Sequence, residues 1–460
     1  MNLFAFGSNG SGQLGIGHEE DVSTPTKCLF ETDPDTDTDP TTKNKITTIA
    51  AGGNHTLLLT ANGTLYAAGC NTDGRCGPRQ ATKQIQSQSQ GQSQSQKKED
   101  TEDTNILRFR RIILSDPVSG ISVSNFKHVS ATWEGTIAVA SVSDPDSPES
   151  LESDSNSTSR PRPRLQDRVF VFGSGPKGEL GLGLGSPSPS PSPSPWSVSC
   201  IPSFPPEDTK ITALASGMAH SAVVISDGSV YGWGAARKGQ LGGGNSALRI
   251  AYSPVKIEVP FFAEGVVCGR EFTVVSGRGR FVVLGDWGNR WGVLRVPGLF
   301  EIKAKVEGAE VGGEEEKKKG CGGCEGFIPY RYTGIGASWH GIYVHAAPGE
   351  TMCSGSRSES DPNPAAGSVV AWGRNDRGQL PPSDLPTPVK FAVGSEHALA
   401  LLGDGRVAAF GWGEHGNCGP DTDSQGNVSG RYNVVSLPET VDGKVVGVGA
   451  GCATSWMILE

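Results

Sequence analysis

Several features are missing from this 460-residue sequence, and each absence excludes a class of protein. No apolar run approaches the roughly 18 residues that a membrane-crossing helix needs. No stretch of useful length carries apolar residues at helical spacing, so a helical bundle is excluded. The formal net charge is −9, and no Lys/Arg stripe runs through the chain. The sequence thus lacks the usual electrostatic signature of a DNA-binding surface. Catalytic signatures are missing as well. There is no nucleophile elbow, no phosphate-cradling loop and no spaced carboxylate pair. Its Gly-Ser-Gly strings lack the following helix that would make them a nucleotide fingerprint. The expectation is a non-enzymatic protein with no catalytic residue and no cofactor.

The ten cysteines follow no regular framework, which suggests reduced thiols in an intracellular protein. The N-terminus enters a strand pattern at once, so no leader segment is expected. A cytoplasmic location is expected, with the nucleus as a second compartment. One cysteine pair, Cys321-Gly-Gly-Cys324, has the spacing of half a zinc site or of a redox couple. It lies in a Gly- and charge-rich stretch rather than at a strand–helix junction. A dispensable pair and no bound metal are expected, with a redox protein using Cys321 and Cys324 as an alternative.

Glycine is abundant, at 64 residues, roughly twice its average usage. It recurs in a pattern. A Gly-x-x-His tetrad stands at Gly52–His55, Gly217–His220 and Gly394–His397. Each tetrad precedes an aromatic-Gly element such as Val230-Tyr-Gly-Trp-Gly-Ala-Ala-Arg-Lys-Gly-Gln-Leu-Gly242. Between them lie apolar runs of about five residues, a strand length, joined by Asn62-Gly63, Asp227-Gly228 or Asp404-Gly405. Asn-Gly and Asp-Gly tolerate positive φ and make tight hairpins. Seven aromatic-Gly half-units are present: Phe4–Gly15, Leu65–Gly77, Val169–Gly181, Val230–Gly242, Phe281–Gly292, Val369–Pro381 and Arg406–Gly419. Seven partner segments are present too: Ile46–Thr60, Phe126–Ala140, Ile211–Ser226, Gly265–Ser276, Tyr332–Val344, Val389–Leu402 and Val445–Leu459.

The phase of the repeat predicts closure. The chain begins on a half-unit without its hairpin partner and ends on a partner without its half-unit. Pairing Asn2–Gly7 with Ser455–Leu459 closes a ring and removes exposed edges. The fold class is therefore all-β, a seven-bladed β-propeller forming one domain over residues 1–460. Polar insertions at residues 84–103, 143–164, 186–195, 307–326 and 349–366 are expected to be disordered surface loops, since such composition buries too little apolar surface. The Ser-Pro run within 186–195 reads as a spacer or as a docking or phosphorylation segment.

His55, His220, His340 and His397 are assigned the same place in four repeats, with Gly135, Phe272 and Thr454 there in the others. One residue per blade cannot converge on a metal, so a structural bond to a neighbouring blade's backbone is expected. Four tryptophans stand outside the regular pattern. Trp133 precedes Glu134, Trp339 precedes His340, and Trp412 precedes Glu414 and His415. Tryptophans beside charged residues are typical interface anchors. Plugs for the central channel or caps on a blade are the other reading. Trp456, in the closing strand, is assigned to the core.

The tetrads and the aromatic-Gly-x-Asn-x-x-Gly-Gln-Leu-Gly turns resemble the regulator-of-chromosome-condensation propellers over about two thirds of the chain. Three segments are similar to a fungal alpha-tubulin suppressor branch of that family. They are Ala5–Asp21, Gly411-Trp-Gly-Glu-His-Gly-Asn-Cys-Gly-Pro420 and Gly451–Trp456. The middle blades match less well, and the insertions are atypical. The resemblance implies a propeller that pairs with a small zinc-ribbon electron carrier of diphthamide synthesis on elongation factor two. It also implies support of Elongator, which modifies wobble uridines of transfer RNA. The alternative it implies is guanine nucleotide exchange on a small GTPase. Expected partner-binding residues are Trp133, Glu134, Trp339, His340, Trp412, Glu414 and His415.

Overall fold

A computed structural model describes residues 2–31, 44–78, 105–143, 165–183, 197–245, 247–285, 290–297, 324–328, 330–351 and 368–460. These residues form seven antiparallel blade sheets and one two-stranded ribbon, Leu114–Ser115 with Ser122–Val123. Blade 1 runs Ile46–Ala51, His55–Thr60, Leu65–Cys70 and Asn105–Ile112 from the centre outward. Blade 2 follows with His128–Ala131, Gly135–Ser143, Leu165–Gly173 and Ser199–Cys200. Blade 3 is Ile211–Ser216, His220–Ile225, Val230–Ala235 and Ile250–Ile257, and blade 4 is Gly265–Cys268, Phe272–Gly277, Arg280–Gly285 and Cys324–Phe327. Blade 5 has three strands among the described residues, Tyr330–Ala337, Gly341–Thr351 and Val369–Gly373. Blade 6 comprises Pro388–Val393, His397–Leu402, Val407–Trp412 and Asn427–Val435.

Blade 7 draws on both ends of the chain. Val445–Ala450 and Thr454–Leu459 are followed outward by Asn2–Gly7 and Val22–Lys27. The closing register pairs Asn2 with Leu459 and Gly7 with Thr454. The expected closure therefore holds, and it includes Thr454. The first strands of the seven blades neighbour one another in an unbroken cycle. They line a central cavity of about 620 Å³, walled by residues such as Ile49, Val129, Leu214, Val267, Ile335 and Val448. The second strands of blades 1, 3 and 6, His55–Thr60, His220–Ile225 and His397–Leu402, are buried along their whole length. Apolar runs replace alternation there because neighbouring blades cover both faces.

The insertions at 84–103 and 186–195 lie outside the described residues. So do 144–164, although Ser143 itself ends a strand of blade 2. Two boundaries set by composition are corrected. Cys324–Gly326, the end of the 307–326 stretch, belongs with Phe327 to the outer strand of blade 4, which pairs with Arg280–Val283. Gly349–Thr351, the start of the 349–366 stretch, continues the second strand of blade 5. Backbone pairing recruits these residues whatever their polarity. Cys321 lies outside the described residues.

Candidate functional site: the mouth of the ring

Each tetrad makes the turn between the first and second strands of its blade. The glycine of the aromatic-Gly element sits opposite the tetrad's last residue. His55 pairs with Gly69, His220 with Gly234 and His397 with Gly411. The carbonyl of the tetrad's third residue presses on that glycine. A Cβ on Gly234 would meet the Ala219 carbonyl at 2.5 Å, and one on Gly411 would meet that of Glu396 at 2.6 Å. Both glycines have positive φ, 98° and 109°, a region closed to most side chains. The same carbonyl then accepts the next backbone N–H, as from Ala235 to Ala219 at 2.7 Å. The recurrent glycine is thus a steric requirement of the turn.

This geometry corrects one assignment. Gly373 presses on the carbonyl of His340, and Arg374 N–H donates to it at 2.9 Å. His340 is therefore the third residue of its turn, and Gly341, paired with Gly373, holds the fourth position. The substitution of Ser338 for the leading glycine hides this register in the sequence. His55, His220 and His397 do share the fourth position and are buried. Their Nε2 atoms reach the next blade and bond to hydroxyls there, and the backbone at Phe272 and Thr454 also supports His220 and His397. The partners are Thr136 at 3.1 Å, Thr273 at 3.0 Å and Ser455 at 2.9 Å. The Thr136 and Ser455 hydroxyls donate back to the carbonyls of Arg75 and Asn417. A hydroxyl has one proton, so His55 and His397 must donate from Nε2. Burial holds all three rings neutral, lowering His55 to about 3 and His220 and His397 to about 4.

The second residues of the seven turns surround the channel mouth. Backbone bonds stitch them blade to blade: Gly53 N–H to the Trp133 carbonyl, Trp133 to Met218, Arg270 to Trp339 and Trp339 to Ser395, all at 2.9–3.0 Å. Trp133 and Trp339, from blades 2 and 5, lean across the opening until their rings are 5.8 Å apart. Trp133 also covers Gly53, where a Cβ would strike its ring at 2.7 Å. The pair occupies the channel mouth, yet both rings remain part-exposed. The two side chains thus plug the mouth while part of each ring stays at the surface.

Antiparallel pairing puts the loops that follow the aromatic-Gly strands at this same end. All seven residues singled out by sequence therefore lie on one face. Arg270 stacks on Trp339 at 5.2 Å. His340 lies 6.0 Å from the Trp291 ring, and the guanidiniums of Arg290 and Arg374 each approach that ring at 4.6 Å. Burial and then Arg270, Arg374 and Arg290 depress His340 to about 4, so it is neutral at physiological pH. Arg374 also pairs with Glu396 at 2.8 Å and with Asp376 at 2.6 Å. Arg377 stacks on Trp412 at 5.1 Å. Trp412 donates its indole N–H to Glu414 at 3.1 Å and meets His415 edge-on at 5.4 Å. His415 reaches Asp21 of blade 7 at 2.8 Å.

The result is an aromatic and charged belt from blade 2 to blade 7. Glu134 stands apart from it, 4.0 Å from Arg75. Trp456 is fully buried in the core. Sequence reading missed Trp291, Arg270, Arg290, Arg374 and Arg377. The arginines are scattered over separate loops, and only folding stacks them on tryptophan. No group of three potential metal ligands occurs among the described residues.

Comparison with known proteins agrees with the ring. Models described as Regulator of chromosome condensation (RCC1) repeat match residues 2–59 and 227–276, and residues 46–75 and 389–417. The chain is 26% identical to the RCC1 repeat-containing protein C10F6.04 of Schizosaccharomyces pombe, over 100% of this chain and 99% of that one. It is 24% identical to the mouse secretion-regulating guanine nucleotide exchange factor, over 98% and 82%. Among solved structures, human WBSCR16 superposes with a TM-score of 0.64 at 16% identity, covering 100% of both chains. Prp20p of Saccharomyces cerevisiae gives 0.64 at 17% identity, covering 99% of this chain and 90% of that one. At such identities the likeness is one of fold.

Proposed function

We propose that this RCC1-repeat propeller is a non-enzymatic protein-binding disc whose mouth face is the docking surface. The observation that carries the reading is the belt itself. Trp291, Trp339 and Trp412 are part-exposed, and arginines hold their rings in place. Rigid, part-exposed tryptophans and arginines are the residue types that dominate interface energetics.

For the partner, we put forward the small zinc-ribbon protein of diphthamide synthesis, with a supporting role toward Elongator, in the cytoplasm and the nucleus. Support comes from the Gly411–Pro420 string that resembles the alpha-tubulin suppressor branch. That string supplies Trp412, Glu414 and His415 to the belt. Calorimetry with purified zinc-ribbon protein tests this. Wild type should bind at micromolar concentration or tighter, and Trp412→Ala and Trp339→Ala should each lose about 2 kcal/mol, roughly thirtyfold. Absence of wild-type binding would reject the partner. Binding unaffected by either substitution would reject the site.

A second reading, nucleotide exchange on a small GTPase, is favoured by the similarity to the mouse exchange factor over 98% of this chain. The fold neighbour Prp20p is also described by its binding to Gsp1p and histones. Accelerated release of labelled GDP from a GTPase panel would select this reading.

A further inference from the structure

Among the described residues, the loops of the mouth face divide by charge. Blades 3 and 4 place Arg237, Lys238, Arg249, Arg270, Arg290 and Arg295 there, and Glu271, 3.8 Å from Lys238, stands among them. On the opposite side of the ring, blades 6 and 7 place Glu19, Glu20, Asp21, Glu414, Asp421 and Asp423. Arg237, Arg249, Arg290 and Arg295 are exposed, as are all six carboxylates. No lysine or arginine stands in the blade 6 and 7 mouth loops among the described residues. The division is invisible in the net charge of −9.

We infer that the mouth face is a fixed charge dipole and that it selects a protein partner presenting an acidic patch, with apolar side chains, to blades 3 and 4. The inference rests on the docking reading above and adds the partner's chemistry and orientation. Arginine stacked on an indole keeps its donor edge outward, where it can grip a carboxylate with two parallel bonds. Arg290 is exposed and its guanidinium lies 4.6 Å from the Trp291 ring, with the indole offering apolar contact beside it. Carboxylates on blades 6 and 7 would repel the same partner if it docked turned around. Complementary potentials of this kind fix orientation and raise association rates. A nucleic acid fits less well, because a phosphate chain crossing the face would run onto the acidic half.

The test uses fluorescein-labelled peptides of alternating Asp and Leu, the matching Lys and Leu peptide, and an oligothymidine. Binding is read by anisotropy at low and at physiological ionic strength. The full chain should bind the acidic peptide despite its own negative charge, and salt should weaken the complex. Arg237→Glu/Arg249→Glu should weaken it about tenfold, and Glu19→Lys/Glu20→Lys should not weaken it. Both pairs are exposed loop residues, and unchanged melting curves confirm that the variants fold. No binding of the acidic peptide, equal binding by the Arg237→Glu/Arg249→Glu variant, or equal affinity for the Lys peptide overturns the inference. So does tighter binding of oligothymidine that the same variant abolishes. The zinc-ribbon titration is a separate arm. If it fails while the peptide results hold, that partner is rejected and the dipole stands. If it succeeds while the peptide results fail, the dipole alone is rejected.

Discussion

The fourth residue of the tetrad shows how one side chain couples two blades. His55, His220 and His397 each span a blade boundary as buried neutral rings, His55 and His397 as donors. In the unfolded chain their ordinary value is 6.5, and in the ring burial lowers them to about 3 or 4. The unfolded state therefore binds more protons as pH falls, and stability declines with it. The contribution is complete above pH 6.5 and is lost progressively down to about pH 4. Denaturant melts across that window should show a loss of several kcal/mol. His397→Gln should flatten the profile, and a variant profile as steep as wild type would assign the loss to other groups. The glycine opposite is equally constrained. Gly234→Ala meets both a positive φ and the Ala219 carbonyl, so a loss of about 3 kcal/mol is expected in chemical denaturation. A loss below about 1 kcal/mol would show that the turn can open. At this scale the sequence was partly legible. Three histidines revealed the repeat, but Ser338 in place of glycine shifted His340 by one position. The bond to a neighbouring hydroxyl also left no mark, because Thr136 lies 81 residues from His55.

At the level of elements, the hairpin signals located the strands because each hairpin is local. Asn-Gly and Asp-Gly turns sit between runs that pair with each other directly. Outer strands are less legible. Cys324–Phe327 looks like part of a polar insertion, and its strand state comes from pairing with Arg280–Val283 across residues of another kind. Closure of blade 7 was legible, because the phase of the repeat leaves one half-unit at each end. The closing strand buries Leu3, Phe4, Ala5 and Phe6. Burying a large apolar side chain contributes about 1.5–3 kcal/mol, so removing residues 1–7 should cost on the order of 5 kcal/mol or more. It also exposes the edge of Thr454–Leu459 to aggregation. Calorimetric melting of the truncated and intact chains checks this, and equal midpoints would refute closure by the termini as a source of stability.

For the whole molecule, the ring turns seven scattered turns into one surface. Trp133 and Trp339 are 206 positions apart in sequence and touch over the channel. No periodicity encodes that contact, which follows from seven blades closing around a narrow opening. The stacked arginines were illegible for the same reason. The central claim is that partners dock on this face. Amide hydrogen exchange of the chain, alone and with saturating zinc-ribbon protein, tests it most directly. The expected result is slowed exchange at turns 133–134, 339–340 and 395–396 and in the loop 413–426, with the opposite hairpins at 61–64, 227–228 and 404–405 unchanged. Protection confined to those hairpins, in a complex that forms, would contradict it.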